Sequence, residues 1–269
     1  MTNIEAVIFD WAGTVVDFGS LAPTSIFVQA FKAQYHFDLS LDEARQPMGL
    51  GKWDHIRALG NLPSVDQRWQ QQFGHSMTDQ EVDALYEAFM PLQKAKVADH
   101  AGLIPGASEI IQHLTQQGIK IGSCSGYPRE VMDILIAAAA ELGYQPDHVV
   151  ATDDYPQGGR PHATMALANA LALGVTSVGR CVKVDDAVPG IAEGLTAGMW
   201  TVALTDTGNE MGLTEEAYQQ TPEAELAKRR QTITEKFQAA GAHYCVKSIA
   251  DLPPVLAKIN KRIDRGERP

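Results

Sequence analysis

Six short runs of apolar, largely β-branched residues recur along this chain, and single helical patterns stand between several of them. The runs are AVIFD near residue 6, KIGSC near 120, HVVAT near 148, CVKVD near 181, WTVALT near 200 and HYCV near 243. The helical patterns cover about 107–117, 128–142, 162–173 and 188–197, and each ends at a glycine: Gly118, Gly143, Gly174 or Gly198. A glycine just past a helix takes the left-handed conformation that stops it. Strands that are apolar at nearly every position, separated by helices, must be buried on both faces. This predicts an α/β fold with a doubly wound parallel sheet. In such sheets reactive groups sit just beyond the carboxyl ends of strands.

Residues 21–98 break the rhythm. They carry no strand pattern and read as helices: SIFVQAFKAQY, LDEARQPM, DHIRALG and the long amphipathic DQEVDALYEAFMPLQKAKVA, with Thr78 or Asp79 as its N-cap. At 269 residues the chain exceeds the usual size of one domain. The expected division is an α/β core from 1–20 and 99–269, with residues 21–98 as an inserted α-helical cap. The stretch 212–241 reads as a solvated, charged surface helix.

A formal net charge of −11 argues against a sequence-independent nucleic-acid binder, which needs a basic surface. An acidic chain that handles an anion must gather its positive charge locally, so individual Lys and Arg residues matter. Cys124, Cys181 and Cys245 are odd in number and far apart, and read as free thiols; no Cys/His spacing suggests zinc. MTNIEAVIFD lacks a basic stretch followed by a long apolar one, and no apolar run is long enough to span a bilayer. A soluble, cytoplasmic protein without membrane or nucleic-acid partners is expected.

Four strand ends carry chemical groups. The first strand delivers Asp10, followed by the small residues Ala12, Gly13 and Thr14, which let a backbone approach a ligand. The second ends in Ser125 and Gly126 ahead of a helix that Pro128 can start, a hydroxyl and free N–H groups suited to phosphate. Arg160 precedes the next helix and can hold a phosphoryl oxygen. The strand CVKVD delivers Asp185 and Asp186 together, and adjacent carboxylates are costly to keep ionised without a hard cation such as Mg²⁺.

Taken in order, these pieces resemble the haloacid dehalogenase superfamily of phosphohydrolases over essentially the whole chain, with residues 21–98 matching its helical cap. The resemblance implies an Asp10 nucleophile, phosphate binding by Ser125, Gly126 and Arg160, and Mg²⁺ held by Asp10, the Ala12 carbonyl and Asp186. There are two departures. Phosphomonoesterases of the superfamily carry an acid–base Asp where this chain has Ala12. The fourth motif commonly has Gly-Asp and a second Asp four residues later, where this chain has Asp185, Asp186 and Gly190. Asp185, Asp153 or Asp154 could offset the loss at Gly190.

The insert contains ARQPMGLGKWDH. This is no P-loop, since Gln46 stands where the first glycine belongs and Trp53 where Ser or Thr belongs. DWAGT, PMGLGKWDH, SGY, GRP and AGMWTV together resemble the phosphonatase family. That resemblance implies Lys52 as a Schiff-base lysine toward a small phosphonate aldehyde, substrate-side roles for Met48 and His55, and a homodimer, with Phe27 and Phe31 as candidate contacts. The implied reaction is hydrolysis of a C–P bond. The alternatives are a small-molecule phosphatase or phosphomutase, which Ala12 opposes, and a catalytically weak phosphate-binding protein, which Gly190 suggests.

Overall fold

The structure, a computed structural model, describes residues 4–269. Six parallel strands form one sheet: β1 (Ala6–Phe9), β2 (Lys120–Ser125), β3 (His148–Ala151), β4 (Cys181–Asp185), β5 (Trp200–Leu204) and β6 (Tyr244–Val246), in the order β3-β2-β1-β4-β5-β6. Every residue of β1, β4 and β5 is buried, which explains their largely apolar runs, broken only by Lys183 and Asp185 in β4 and Thr201 in β5. The strand order reverses between β1 and β4, and a crevice opens there at the carboxyl ends. Register fixes what faces it. Phe9 pairs with Val184 and with Ser123, and the Asp10 N–H continues the ladder to the Val184 carbonyl at 3.0 Å. Asp10 therefore stands level with the end of β4.

Between β1 and β2 lies a helical insertion: α1 (Leu21–Tyr35), α2 (Leu41–Arg45), α3 (Lys52–Gly60), α4 (Pro63–Phe73) and α5 (Asp79–Lys96). Its interior is aromatic. Phe27 stacks on Phe89 at 4.4 Å and on His55 at 4.0 Å, while Phe31, Tyr35, Phe37 and Phe73 surround Trp69 with ring centroids within 6.2 Å. Phe27 and Phe31 are thus core residues of the insertion and offer no dimer surface. Thr78 caps α5 through a reciprocal box with Glu81. LDEARQPM is helical only to Arg45; Pro47 lies in the turns that follow.

The two chain crossings into the insertion run side by side. Ile104 N–H donates to the Val15 carbonyl at 2.8 Å, Asp17 N–H to the Gly102 carbonyl at 3.2 Å, and His100 Nδ1 meets Asp17 Oδ1 at 3.0 Å. Hydrogen bonding to Asp17, together with its charge, outweighs burial and raises the His100 pKa.

The remaining helices flank the sheet: α6 (Ala107–Gln116), α7 (Arg129–Glu141), α8 (Thr164–Ala172), α9 (Val188–Thr196), α10 (Glu215–Gln220), α11 (Glu223–Ala239) and α12 (Leu252–Asp264). Helix α11 is not simply solvated. Leu226, Ile233 and Phe237 pack in a cluster with Ile191 and Ala203, so one face of this charged helix covers the sheet. No helix among the described residues is long and apolar enough to cross a membrane.

Candidate active site

Asp10, Ala12, Met48, Gly49, Lys52, Ser125, Gly126, Tyr127, Arg160 and Asp186, with Ser20 and Pro23, line one cleft between the sheet and the insertion. The core contributes an acidic floor. Ligand atoms of Asp10, Asp185 and Asp186 lie within 4.8 Å of one another, all three residues buried. Gly13 makes this approach possible. It adopts φ +82°, and a Cβ there would lie 2.1 Å from Asp186 Oδ2. Burial, then the charge of Asp185, raises the Asp10 pKa against the pull of Arg160. Burial and its two acidic neighbours push Asp186 well above the usual carboxylate range. Closely set hard oxygens that resist ionising together suit a divalent cation such as Mg²⁺.

Arg160 crosses the floor. Its Nη2 donates to Asp10 Oδ1 at 2.7 Å and to the Cys124 carbonyl at 3.0 Å, and Nε donates to Glu193 Oε2 at 3.0 Å. Burial opposes its charge, but Asp185, Asp10 and Glu193 outweigh burial and hold the guanidinium protonated. Ser125 ends β2, and its Oγ accepts the Tyr127 N–H at 3.1 Å. At Gly126 the insertion comes close to the core: a Cβ would meet the Leu50 carbonyl oxygen at 2.5 Å. The loop that precedes Lys52 is seated directly on the phosphate-type turn.

Lys52 opens α3 and is only 3% exposed. Its Nζ lies 4.6 Å from the Tyr127 ring centroid and 5.8 Å from that of Phe27. Burial lowers its pKa to about 7, with Arg160 adding to the fall and Asp10 and Asp186 opposing it. The positive end of the helix dipole also disfavours an ammonium there. A lysine normally protonated up to about pH 10.4 is thus free amine in a substantial fraction near neutrality. The cleft joins a readily deprotonated amine from the insertion, a carboxylate at a strand end and a fixed guanidinium. Such a set can form an imine with a carbonyl and bind a phosphoryl group beside it.

The chain matches the haloacid dehalogenase-like hydrolase family over residues 4–198. It is 64% identical over 266 residues to the phosphonoacetaldehyde hydrolase of Aliivibrio salmonicida, covering 99% of this chain and 98% of that one. It is 63% identical over 268 residues to that of Aeromonas hydrophila, covering 100% and 96%. The crystal structure of a phosphonoacetaldehyde hydrolase-like protein from Oleispira antarctica superposes with a TM-score of 0.96 at 43% identity, covering 99% of this chain and 96% of that one. The chain belongs to the phosphonoacetaldehyde hydrolase family.

For a member of that family, most of the sequence-derived residues fall together: Asp10, Ala12, Met48, Lys52, Ser125, Gly126, Arg160 and Asp186 share the cleft lining. His55 is not among the lining residues. It is fully buried behind Lys52, stacked on Phe27, with Nε2 bonded to the Ala44 carbonyl at 2.9 Å. Burial and the Lys52 charge depress its pKa well below the ordinary value, so it is neutral. Asp153 accepts the Arg129 N–H and Asp154 accepts from Arg129 Nε, and neither belongs to the carboxylate group of the floor. Sequence reasoning missed Lys183, Glu193 and Asn209. The first two are charged residues inside otherwise apolar elements, a signal that was there to be read. Asn209, whose N–H donates to Asp186 Oδ2 at 2.7 Å, sits in a loop with no pattern of its own.

Proposed function

We propose that the chain hydrolyses the C–P bond of phosphonoacetaldehyde to acetaldehyde and phosphate, with Lys52 as Schiff-base residue and Asp10 as nucleophile. One observation carries the reading: the amine of Lys52, with its pKa lowered to about 7, lines the same cleft as Asp10, while Ala12 offers no acid for an ester leaving group. The activity for which its relatives are named fits this reading. Residues 21–98 act as the cap that brings the amine to the core.

The chemistry follows from the leaving group. Attack at phosphorus on the free aldehyde would expel a carbanion. Lys52 Nζ instead adds to the aldehyde carbon, and loss of water gives an iminium. Asp10 then attacks phosphorus and the C–P bond breaks; its electron pair becomes the C=C bond of an enamine while the C=N⁺ π pair shifts onto nitrogen. Because the iminium nitrogen takes up that charge, no proton has to reach an alkoxide, and Ala12 is no handicap in this step. Protonation of the enamine carbon and hydrolysis of the resulting imine release acetaldehyde and regenerate Lys52. Water attacks the aspartyl-phosphate and frees phosphate. Arg160, Ser125 and Gly126 hold the phosphoryl oxygens, and Met48 borders the two-carbon unit. Asp10, Asp186 and the Ala12 carbonyl would hold Mg²⁺, which when bound offsets the repulsion between the phosphoryl oxygens and the Asp10 carboxylate. His55 is neutral and lies behind Lys52, away from the cleft, where stacked on Phe27 and bonded to the Ala44 carbonyl it holds the start of α3 in place. The proposal includes a cytoplasmic homodimer, whose mass is checked by light scattering.

A paired-substrate assay tests the function. With Mg²⁺, phosphonoacetaldehyde should yield phosphate and acetaldehyde in equal amounts, and glycolaldehyde phosphate, the ester analogue, should release phosphate about 10³-fold more slowly for want of a general acid. Equal rates would establish the phosphatase alternative, and binding without turnover of either would establish the binding-protein one. The pH dependence has a definite sign. Below pH 7 Lys52 is increasingly protonated and cannot attack, so kcat/KM should fall about tenfold per unit there and level off above. A flat profile between pH 5.5 and 8 would remove the free amine from the mechanism.

A further inference from the structure

Asp185 and Asp186 are neighbours at the end of β4, yet their hydrogen bonds give them different work. Both oxygens of Asp185 are already engaged. Oδ2 accepts from Lys183 Nζ at 2.6 Å and lies 3.2 Å from Arg160 Nη2, and Oδ1 accepts the Ala187 N–H at 3.1 Å. Asp186 lines the cleft, with the Asn209 N–H bonded to Oδ2. Lys183 and Arg160 are themselves fully buried and share a second counter-ion, Glu193, at 3.6 and 3.0 Å. Without Asp185 these two cations would divide Glu193 and Asp10 between them, and the guanidinium would be drawn from the position it now holds against Asp10.

Gly190, on the first turns of α9, serves the same arrangement. A Cβ there would fall 1.9 Å from Asp185 Oδ2 and 2.1 Å from its Cγ, so the carboxylate occupies the space that any side chain at 190 would need. The backbone at this position is ordinary helix, and the three atoms nearest that Cβ all belong to Asp185. A buried pair of cations is expensive to leave half-neutralised, and burying such charges adds little stability in itself. A role in geometry accounts for their presence.

We propose that Asp185 is a positioning residue and not a metal ligand. As the shared counter-ion of Lys183 and Arg160 it fixes the guanidinium edge that faces Asp10, and Gly190 is the residue that makes room for it. This rests on the reading of Asp10 and Arg160 as the phosphoryl-handling pair. The floor then holds four carboxylates, Asp10, Asp185, Asp186 and Glu193, against two cations, Arg160 and Lys183. With all ionised, two negative charges remain, the balance for one divalent cation held by Asp10 and Asp186.

The test uses Mn²⁺ binding to the intact protein, measured by calorimetry, beside kcat and KM for phosphonoacetaldehyde. Asp186→Asn should weaken Mn²⁺ binding by about 100-fold or more, and Asp185→Asn by no more than about threefold while kcat falls about 10- to 100-fold and KM changes little, as expected for a supporting group whose loss misplaces its neighbour. Gly190→Ala keeps every charge and should reproduce the kcat loss, yet cost less than about twofold in an Asp185→Gly background, where the clash is gone. Loss of Mn²⁺ binding in Asp185→Asn equal to that in Asp186→Asn would make Asp185 a ligand and overturn the proposal. So would normal kcat in Asp185→Asn, or an equal cost of Gly190→Ala in both backgrounds. If Asp185→Asn does not fold, Gly190→Ala carries the same readings. Failure of the unaltered protein to turn over phosphonoacetaldehyde would strike the proposed function, while the Mn²⁺ comparison would still decide between ligand and counter-ion.

Discussion

Replacing Lys52 with arginine should abolish phosphate release, lowering kcat for phosphonoacetaldehyde by about 10⁴-fold or more, on the order of 5 kcal/mol of transition-state stabilisation. The positive charge is kept, so a lysine that merely attracts the phosphonate would tolerate the change. An imine lysine would not, because a guanidinium does not deprotonate in the accessible pH range and cannot add to the aldehyde. Lys52 is buried against Phe27 and Tyr127, so arginine also brings a fixed charge into an apolar lining. Lys52→Met is the companion variant: neutral, unbranched and of similar length, it should be equally inactive and should melt within a few degrees of the unaltered protein. Stopped-turnover assays for both phosphate and acetaldehyde, with thermal melts on the same samples, check the pair. Activity in Lys52→Arg within tenfold of the unaltered protein would exclude the imine.

Asp10→Asn should produce a loss on the order of 10³-fold or more in kcat, because an amide oxygen is a poor nucleophile toward phosphorus. The informative part is what survives. In the proposed mechanism imine formation at Lys52 precedes attack by Asp10, so the variant should still accumulate the Lys52–substrate imine. The pH at which it does so should shift in a definite direction. The Asp10 charge raises the Lys52 pKa, so its removal should take that pKa below about 7 and extend imine formation to lower pH. Borohydride trapping across a pH series reads this directly. An Asp10→Asn protein that no longer forms the imine would mean that Asp10 acts in the first step and not only in the second.

The sheet and most of the site were legible for a common reason. A parallel strand buried on both faces has almost no choice of residue, so β1, β4 and β5 announce themselves, and the polar residues at their ends stand out against that background. Asp10, Ser125 and Asp186 were found in this way, and Arg160 by its place before a helix. Lys52 was different. Its sequence context is that of a solvated lysine at a helix start, and only the resemblance of PMGLGKWDH marked it. Its burial depends on the insertion folding back over Gly126, a contact between residues about 75 apart that no local pattern encodes.

Other features were lost where local signals were weak or misleading. Helix α4 buries only Val65 and Trp69, too sparse a stripe to show. Helix α12 does carry apolar residues at 252, 255, 256 and 259, a helical spacing that could have been read. Phe27 and Phe31 could be read from sequence as core or as partner contacts, because a helix pattern shows an apolar face without showing what covers it; Phe89, His55 and Trp69 cover it. The absence of a carboxylate at Gly190 looked like a defect in sequence. In space it is matched by Asp185, whose carboxylate fills the same volume from the neighbouring strand.

The central claim is that one amine of the insertion bonds covalently to the substrate's carbonyl carbon. Reduction with borohydride in the presence of phosphonoacetaldehyde, followed by peptide mass spectrometry, measures it most directly. The account predicts irreversible inactivation that requires substrate, with a reduced two-carbon adduct on the peptide containing Lys52. Full activity after that treatment, or an adduct on Lys183 or on surface lysines with Lys52 unmodified, would contradict it.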